Sequence, residues 1–441
     1  MLKITSYAKN NFHLYNKANM TASSTEILAP GSPAETKEKD PDMQQNDLPD
    51  KEEEVKRPPY RIFRKKKLEG FFLFVTSACN SHCKTCFYHD ELNSNKDMSF
   101  EEIRKMSETA PSFDKLWISG GEPFMRKDLV EIIKLFYDNN HARVVNLPTN
   151  GLLTNRIVEG VGRLIEECPE LEIHLNFSLD GLGPTHDRVR GVPGNFRTTI
   201  RTMEITRKKY RNHPLLHQNV ATVITPEGKD EAYDLGVYLL KKDLIDVQFF
   251  EVVRGDPLDP EVKNLTREEL RALRKKVFPL IVEQGNRMFR HFTGFKKKIA
   301  RFYYLGFIRF VNEIQDANYF APTPWGMRCT AGETTIVIDH DGSYRACEVR
   351  DAIGKMQDHH FDIGKALSGK AMQKEIAEIG GGARANCWCT HGCWILSSIK
   401  FSPKTMLFRI PGAYFRAKKD MVKDFKLPDI DIEAIENYME K

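Results

Sequence analysis

Residues 71–86 read FFLFVTSACNSHCKTC, an apolar run that leads directly into three closely spaced cysteines. A run of Phe, Leu and Val without polar residues is typical of a strand that is buried on both faces. Cys79, Cys83 and Cys86 then follow with the spacing C-x3-C-x2-C. The stretch therefore predicts an inner strand of a parallel sheet with a cysteine-rich loop at its carboxyl end.

Five further apolar, β-rich runs follow the first along the chain. They lie at 116–119, 144–148, 173–178, 219–225 and 247–253. The segments between them have helical spacing, and Ser99 with Glu102 predicts a capping box. Strands that alternate with amphipathic helices indicate an α/β fold with a helix-covered parallel sheet. Six such units predict a partial (β/α)6 TIM-like barrel rather than a full one of eight.

Composition changes along the chain predict five regions. Residues 1–58 are rich in Pro, Glu, Asp, Lys and Ser, and predict a disordered tail. Residues 59–260 form the predicted barrel, and residues 261–324 a helical connecting region. A small cysteine-rich domain is expected over 325–396, followed over 397–441 by a basic segment and a short helix.

The spacing of the first three cysteines favours an iron–sulfur cluster. A cubane cluster has four irons with thiolate ligands, so three local cysteines leave one iron without a protein ligand. An open position of this kind is what a catalytic metal site needs. A zinc site that includes His82 or His89 is the alternative interpretation. Clustered cysteines directly after a strand suit the open cluster better.

Polar motifs follow the next strands, and parallel strands bring such loops to one edge of the sheet. The second predicted strand is followed by GGEP, which is Gly120, Gly121, Glu122 and Pro123. The third is followed by TNG, which is Thr149, Asn150 and Gly151. The fourth is followed by Ser178 and Asp180, with His186, Asp187 and Arg190 just beyond. Two adjacent glycines allow a ligand to approach the backbone closely. An ordinary turn is the alternative for TNG, and a surface salt bridge is the alternative for Arg190.

The sequences CNSHCKTCFY and GGEP resemble the two signature motifs of the radical SAM superfamily, and the similarity covers roughly residues 70–255. Where many members have an aromatic residue before the third cysteine, this chain has Thr85. The resemblance implies that the cluster cleaves S-adenosylmethionine reductively. The 5′-deoxyadenosyl radical that results then abstracts a hydrogen atom from a substrate. A reductase such as ferredoxin or flavodoxin is the implied electron donor.

The resemblance also gives the later motifs expected roles in binding the cofactor. Glu122 is expected to accept hydrogen bonds from the ammonium group of S-adenosylmethionine. Ser178 and Asp180 are placed for ribose or carboxylate contacts. Arg190 is expected to pair with the methionine carboxylate through a bidentate contact. Gly120, Gly121, Pro123 and Asn150 complete the predicted cofactor-binding set.

A second group of cysteines lies near the carboxyl end of the chain. Its members are Cys329, Cys347, Cys387, Cys389 and Cys393. Asp341 and Gly342 predict a hairpin turn that brings Cys329 and Cys347 together. The region resembles the SPASM or twitch extension of radical SAM enzymes, which implies one auxiliary 4Fe–4S cluster. Four of the five cysteines suffice, with either Cys393 or Cys387 as the fourth ligand, and a zinc site that includes His391 is the rival.

The composition narrows the class of partner. The net charge of +5 on 441 residues is too balanced to indicate nucleic acid. No apolar run is long enough to predict a transmembrane helix or a secretory signal, so a cytoplasmic location is expected. The basic and aromatic stretch 292–314 favours core packing over contact with a membrane surface.

Two functions of different class remain open from the sequence. The first is a radical SAM enzyme that modifies a peptide, a protein side chain or another natural product. The second is a non-catalytic iron–sulfur electron carrier or a zinc-binding scaffold protein, which would not consume S-adenosylmethionine. The three-cysteine loop together with GGEP favours the enzyme.

Overall fold

The computed structural model describes residues 68–380 and 387–440. The predicted disordered tail over residues 1–58 lies outside the described residues. So does the short segment 381–386 within the predicted cysteine-rich domain.

The six predicted strands of the barrel are all present. They are β1 Gly70–Thr76, β2 Lys115–Gly120, β3 Val144–Thr149, β4 Glu172–Ser178, β5 Leu216–Ile224 and β6 Val247–Val252. Neighbouring strands are parallel and lie in chain order across the sheet. The α/β partial barrel is therefore confirmed.

Helices occupy most of the segments that connect these strands and most of the carboxyl-terminal third of the chain. They are α1 Phe100–Thr109, α2 Leu129–Asn140, α3 Thr154–Glu167, α4 Gly183–Arg190, α5 Asn195–Tyr210, α6 Ala232–Lys241, α7 Arg267–Met288, α8 Gly294–Phe320, α9 Ile363–Ser368, α10 Lys370–Gly380, α11 Gly392–Ile399, α12 Ile410–Lys419 and α13 Ile432–Glu440. Helices α7 and α8 lie within the predicted helical connecting region 261–324, and α13 lies in the carboxyl-terminal segment for which a short helix was predicted.

The first barrel helix shows how local sequence sets an element's boundary. Ser99 accepts a hydrogen bond from the backbone N–H of Glu102, and the Glu102 carboxylate accepts one from the backbone N–H of Ser99. This capping box satisfies donors that the first turn of α1 leaves unpaired. Ile103 and Met106, three residues apart, then pack one face of α1 into the core. Cap and apolar spacing together fix where the helix starts and which face is buried.

The barrel strands have an outer face and an inner face. Ile173, Leu175 and Phe177 of β4 alternate in sequence and are fully buried in the apolar core. The side chains between them point to the opposite face, because successive residues of a strand alternate. Right-handed crossovers between strands in chain order place the helices on one side of the sheet. We call the face opposite these helices the inner face.

The predicted hairpin near the carboxyl end is confirmed and extends the barrel sheet. Strands β7 Thr335–Ile338 and β8 Ser343–Arg345 are antiparallel, and β9 Gly354–Lys355 adds to β8. β7 also pairs in parallel with β1. The edge of β1 is thereby covered, which satisfies backbone groups that would otherwise be unpaired. The cysteine-rich region thus shares a nine-stranded sheet with the barrel, whereas the sequence suggested a separate small domain.

Helix α8 carries the basic and aromatic stretch noted in the sequence. Its residues Ala300, Leu305 and Phe310 are buried, whereas Phe295 is 71% exposed. Most of its apolar length therefore packs against the rest of the molecule. None of the helices in the described ranges combines the length and apolar character that crossing a bilayer requires.

Candidate active site

The loop after β1 brings the first three cysteines together. Cys79 lies within electrostatic reach of both Cys83 and Cys86. Two backbone hydrogen bonds hold the loop against the end of α4, from the His82 N–H to the Arg190 carbonyl (3.2 Å) and from the Lys84 N–H to the Val189 carbonyl (2.9 Å). This anchoring joins the cysteine loop (residues 79–86) to the segment that follows β4.

The three thiols are partly buried, and Cys83 and Cys86 border a small cavity. Burial raises the pKa of Cys79 to about 12 and also raises the pKa of Cys86. A bound metal must therefore displace protons from them. A cavity of about 170 Å³ lies beside the loop and is lined by His82, Cys83, Cys86, His89, Leu92, Asn93 and Leu258. Three thiols are the donor set that a 4Fe–4S cluster with one open iron requires.

Two neighbouring glycines place GGEP directly against the start of the cysteine loop. A Cβ on Gly120 would lie 2.3 Å from the carbonyl oxygen of Thr76, and one on Gly121 would lie 2.2 Å from that of Ala78. The backbone N–H of Gly121 donates to the Thr76 carbonyl at 2.8 Å. On the side where a Cβ would stand, both glycines thus lie directly against the chain's own backbone.

Glu122 ties the GGEP loop to the TNG loop. The residue is 2% exposed, and its carboxylate accepts hydrogen bonds from the Thr149 hydroxyl (2.9 Å), the Asn150 N–H (2.7 Å) and the Phe124 N–H (3.2 Å). Burial raises the pKa of Glu122 to about 7, although these donors favour the ionised form. Pro123 begins the short helical turn Pro123–Met125 that follows.

Asn150 connects the TNG loop with the cysteine loop. Its side-chain amide donates to the Asn80 side-chain oxygen at 2.7 Å and to the Ser81 hydroxyl at 3.1 Å. Three loops that are distant in sequence are therefore linked by hydrogen bonds at the carboxyl edge of the sheet. The convergence expected of these loops is present in the structure.

The segment after β4 contributes a buried ion pair. Ser178 ends β4, and the Asp180 carboxylate pairs with the Arg190 guanidinium at 2.8 Å. Asp180 also accepts a hydrogen bond from the Val223 N–H at 2.8 Å. The second guanidinium nitrogen of Arg190 lies 3.7 Å from the Cys83 Sγ. Arg190 thus supplies positive charge beside the cysteine loop, in a buried ion pair rather than the surface one considered from the sequence.

His186 and Asp187 have structural contacts in this segment. His186 is fully buried, accepts from the Asp180 N–H at 3.1 Å and is paired with the Asn195 side chain at 2.7 Å. Burial lowers the pKa of His186 to about 4, so the ring is neutral. Asp187 accepts hydrogen bonds from the Phe196 N–H and the Tyr438 hydroxyl. Both side chains hold α4 against its neighbours.

Sequence reasoning missed two side chains that shape the cysteine loop. Asn93 accepts a hydrogen bond from the Cys79 N–H at 3.0 Å. Asp97 accepts one from the Ser77 N–H at 2.7 Å and also pairs with the Thr76 hydroxyl. Both lie in an irregular segment, where Asn and Asp are ordinary turn residues. The sequence therefore carried no signal that distinguished them.

Four of the carboxyl-terminal cysteines form one group. Cys389 lies within electrostatic reach of Cys329 and Cys387, and Cys347 within reach of Cys389 and Cys329. The strongest electrostatic neighbours of Cys393 are instead Arg254, Glu348 and Glu251. Burial raises the pKa of each of Cys329, Cys347, Cys389 and Cys393.

A buried charged cluster lies between the two groups of cysteines. One oxygen of Glu348 contacts Arg254 at 2.7 Å and His391 Nε2 at 2.9 Å. Burial acts against ionisation of Glu348, yet the charges of Arg254 and His391 lower its pKa to about 2. The Arg254 guanidinium also lies 4.7 Å from the centre of the Phe87 ring. Phe87 follows Cys86 and Glu348 follows Cys347, so this cluster joins both cysteine regions.

Comparison with known proteins finds a family match in the barrel region. Residues 73–235 match the radical SAM superfamily model. A GTP 3′,8-cyclase of Clostridium perfringens is 27% identical over 282 residues, which span 59% of this chain and 79% of the cyclase. An AdoMet-dependent heme synthase of Methanosarcina barkeri is 34% identical over 144 residues, which span 30% of this chain and 38% of the synthase.

A solved structure shares the fold of most of the chain. The structure of anSMEcpe with bound AdoMet (S-adenosylmethionine) and a peptide has a TM-score of 0.52 and 18% identity, and it covers 84% of this chain and 98% of that one. The family match includes β2 to β5 and the GGEP, TNG and SLDG loops, together with the three cysteines after β1. The chain therefore contains a radical SAM domain over residues 73–235, and the members of that superfamily are enzymes that use a 4Fe–4S cluster and S-adenosylmethionine.

Proposed function

We propose that this chain cleaves S-adenosylmethionine at the cysteine loop and uses the resulting radical to modify a peptide, a protein side chain or another natural product. The convergence of three thiols with Glu122, Asn150 and the Asp180–Arg190 pair supports this proposal most directly. These groups lie on separate loops, and the hydrogen bonds between the loops fix their relative positions. A site held in this way is preorganised for its cofactor.

The proposed roles follow from charge and burial. A 4Fe–4S cluster would be held by Cys79, Cys83 and Cys86. Once an external reductant such as ferredoxin or flavodoxin had reduced this cluster, it would supply the electron that breaks a sulfur–carbon bond of S-adenosylmethionine. Arg190, beside the Cys83 Sγ, stabilises negative charge on the thiolate. Ser178, at the end of β4, remains a candidate for contacts to the cofactor's ribose or carboxylate, whereas the Asp180 carboxylate is fully buried and engaged by Arg190 and the Val223 N–H.

Glu122 is the candidate for recognising the cofactor's ammonium group, and its raised pKa gives a test. Above a pH of about 7 the buried carboxyl is ionised and attracts a cation; below it the carboxyl is neutral. We expect Glu122→Gln to weaken S-adenosylmethionine binding at pH 8 by roughly tenfold to a hundredfold, the effect of losing a charge-assisted hydrogen bond. At pH 6 only about a tenth of the wild-type carboxyls are ionised, so the ratio of the two affinities should be about tenfold smaller than at pH 8.

Equilibrium binding to the iron-loaded protein at both pH values measures this difference. The cofactor's own titration affects both proteins equally, so only the ratio of the two affinities is interpreted. Equal affinities at pH 8 would remove Glu122 from the cofactor site. An equal loss at both pH values would point instead to a structural role in joining the GGEP and TNG loops.

An auxiliary 4Fe–4S cluster is proposed for the carboxyl-terminal region. Cys329 and Cys389 each lie within electrostatic reach of both Cys347 and Cys387, and four thiolates complete the ligand set of such a cluster. Cys387 is therefore preferred to Cys393 as the fourth ligand. A fully ligated cluster has no open iron, so its proposed task is electron transfer rather than substrate anchoring.

This ligand set predicts different results for two neighbouring cysteines. The reconstituted wild type should contain about eight iron atoms per chain, as two four-iron cubanes. Cys387→Ser should lose up to half of that iron, whereas Cys393→Ser should retain nearly all of it. Iron analysis and electron paramagnetic resonance of the reduced proteins measure both. If Cys393→Ser lost the iron and Cys387→Ser kept it, Cys393 would be the fourth ligand. About four irons with one zinc in the wild type would instead indicate a zinc site.

The substrate class is proposed with support from the fold. The solved anSMEcpe structure, which covers 84% of this chain, has a peptide bound. We therefore expect a peptide fraction from cells that produce this protein to accelerate 5′-deoxyadenosine formation by the reconstituted enzyme. GTP serves as the comparison, since a sequence relative is a GTP 3′,8-cyclase. Acceleration by GTP and not by the peptide fraction would overturn the proposed substrate class.

A further inference from the structure

A second cluster of potential metal ligands lies at the opposite end of the barrel strands. It consists of Glu172 and His174 on β4 and His217 on β5. Glu172 begins β4, and Ser178 ends it next to the candidate active site. Six strand residues at about 3.3 Å each separate the two ends by roughly 20 Å. The cluster is therefore distinct from the cysteine loop and from the loops that surround it.

The register of the sheet brings the three side chains together. His174 and His217 are directly paired across β4 and β5, so both side chains project from the same face. Glu172 precedes His174 by two residues and shares that face, because strand residues alternate. It is the inner face, since Ile173, between them, is buried in the apolar core on the other side. Regular strand geometry therefore positions all three groups.

The distances match those of a coordinated metal. One carboxylate oxygen of Glu172 lies 3.0 Å from His174 Nε2 and 3.4 Å from His217 Nε2. One ligand atom from each residue lies within 4.8 Å of the others. Zinc with bonds of about 2.0–2.1 Å in tetrahedral geometry requires ligand atoms about 3.3 Å apart. Little movement would be needed for the three atoms to share one ion.

We propose that Glu172, His174 and His217 bind a divalent transition-metal ion at the amino-terminal end of the barrel. Two imidazoles and one carboxylate are a donor set that suits zinc and ferrous iron. Three protein ligands leave a position for water or for an atom of a bound molecule. The His174 side chain is 18% exposed and those of Glu172 and His217 are 1% and 6% exposed, so an ion would enter past His174.

The charge of Lys115 acts against this site and gives a second test. Lys115 begins β2 and lies within electrostatic reach of Glu172 and His174. A positive charge at this position repels a metal cation. Lys115→Met should therefore bind the ion more tightly than the wild type does. A carboxylate that only hydrogen-bonds to two imidazoles would show no such gain.

Zinc is the probe, because it is redox-inactive and has well-defined bond lengths. The full-length protein, with its iron–sulfur sites reconstituted, is exposed to zinc chloride, desalted and analysed for metal. We expect one zinc per chain in the wild type and its loss in His174→Ala and in the nearly isosteric Glu172→Gln. His291→Ala removes an exposed histidine outside the cluster and should retain the zinc.

X-ray absorption at the zinc edge identifies the ligands. We expect only nitrogen and oxygen neighbours at about 2.0–2.1 Å. Sulfur neighbours at about 2.3 Å would show that zinc occupies cysteines instead, and would overturn the proposal. Failure of the wild type to retain zinc, or equal zinc content in all the variants, would overturn it as well. None of these measurements depends on cleavage of S-adenosylmethionine, so the outcome is independent of the proposed function.

Discussion

Replacing Cys79, Cys83 and Cys86 together by alanine is expected to abolish the formation of 5′-deoxyadenosine and methionine from S-adenosylmethionine. The three thiols are the proposed protein ligands of the cluster that supplies the electron. Their removal leaves the cysteine loop without any thiolate. Product analysis after anaerobic reduction with dithionite measures the effect. Cys168→Ala is the matched control, because Cys168 is a buried thiol outside both cysteine groups and should leave cleavage unchanged.

The same triple variant separates the two proposed clusters. It should retain about half of the wild-type iron, bound by the carboxyl-terminal cysteines. Cleavage by the triple variant at the wild-type rate would show that the cysteine loop is not the site. Loss of all the iron would show that the auxiliary cluster does not form without the cluster at the cysteine loop. The cleavage result would then be interpreted without the iron count.

Removing the charge of Arg190 is expected to be the most destabilising single change near the site. Asp180 is fully buried, and its ion pair with Arg190 compensates its charge. Arg190→Met keeps much of the side-chain volume but leaves a buried carboxylate without that partner. Breaking a buried ion pair in this way costs about 3–5 kcal/mol of unfolding free energy. Chemical denaturation of the metal-free protein under reducing conditions measures the change.

Arg188 provides a matched control for this experiment. It lies two residues away on the same helix, and its side chain is 56% exposed where it pairs with Glu227. Exposed ion pairs contribute about 1 kcal/mol or less, so Arg188→Met should have a small effect. Equal destabilisation by the two substitutions would contradict the role assigned to the buried pair.

Much of the barrel was predictable because its signals are local. A continuous apolar run predicts a strand of a parallel sheet, and each of the six predicted runs is a strand in the structure. The capping box of Ser99 and Glu102 and the turn at Asp341 and Gly342 were equally local. Placing polar motifs at the ends of parallel strands also predicted that the GGEP and TNG loops would meet the cysteine loop.

Contacts between segments that are distant in the chain could not be predicted from the sequence. The pairing of β7 with β1 joins residues more than 260 positions apart, and no motif in either strand specifies its partner. The cluster of Arg254, Glu348 and His391 likewise unites three segments that carry no shared pattern. Cysteine spacing alone could not decide between Cys387 and Cys393 as the fourth ligand, because the two differ in the side chains that surround them.

The function of GGEP was only partly predictable for a related reason. Two consecutive glycines indicate a close approach, but not what approaches. In the structure the Thr76 and Ala78 carbonyls occupy the space that a Cβ would need. The motif therefore positions the cysteine loop as well as Glu122, and a substitution at either glycine would disturb both.

The central claim is that this chain cleaves S-adenosylmethionine reductively at the cysteine loop. The most direct measurement incubates anaerobic, iron-reconstituted wild-type protein with dithionite and S-adenosylmethionine and quantifies the products. We predict 5′-deoxyadenosine and methionine in equal amounts, with none formed when dithionite is omitted. Iron-loaded protein that binds S-adenosylmethionine but leaves it intact under reduction would contradict the claim.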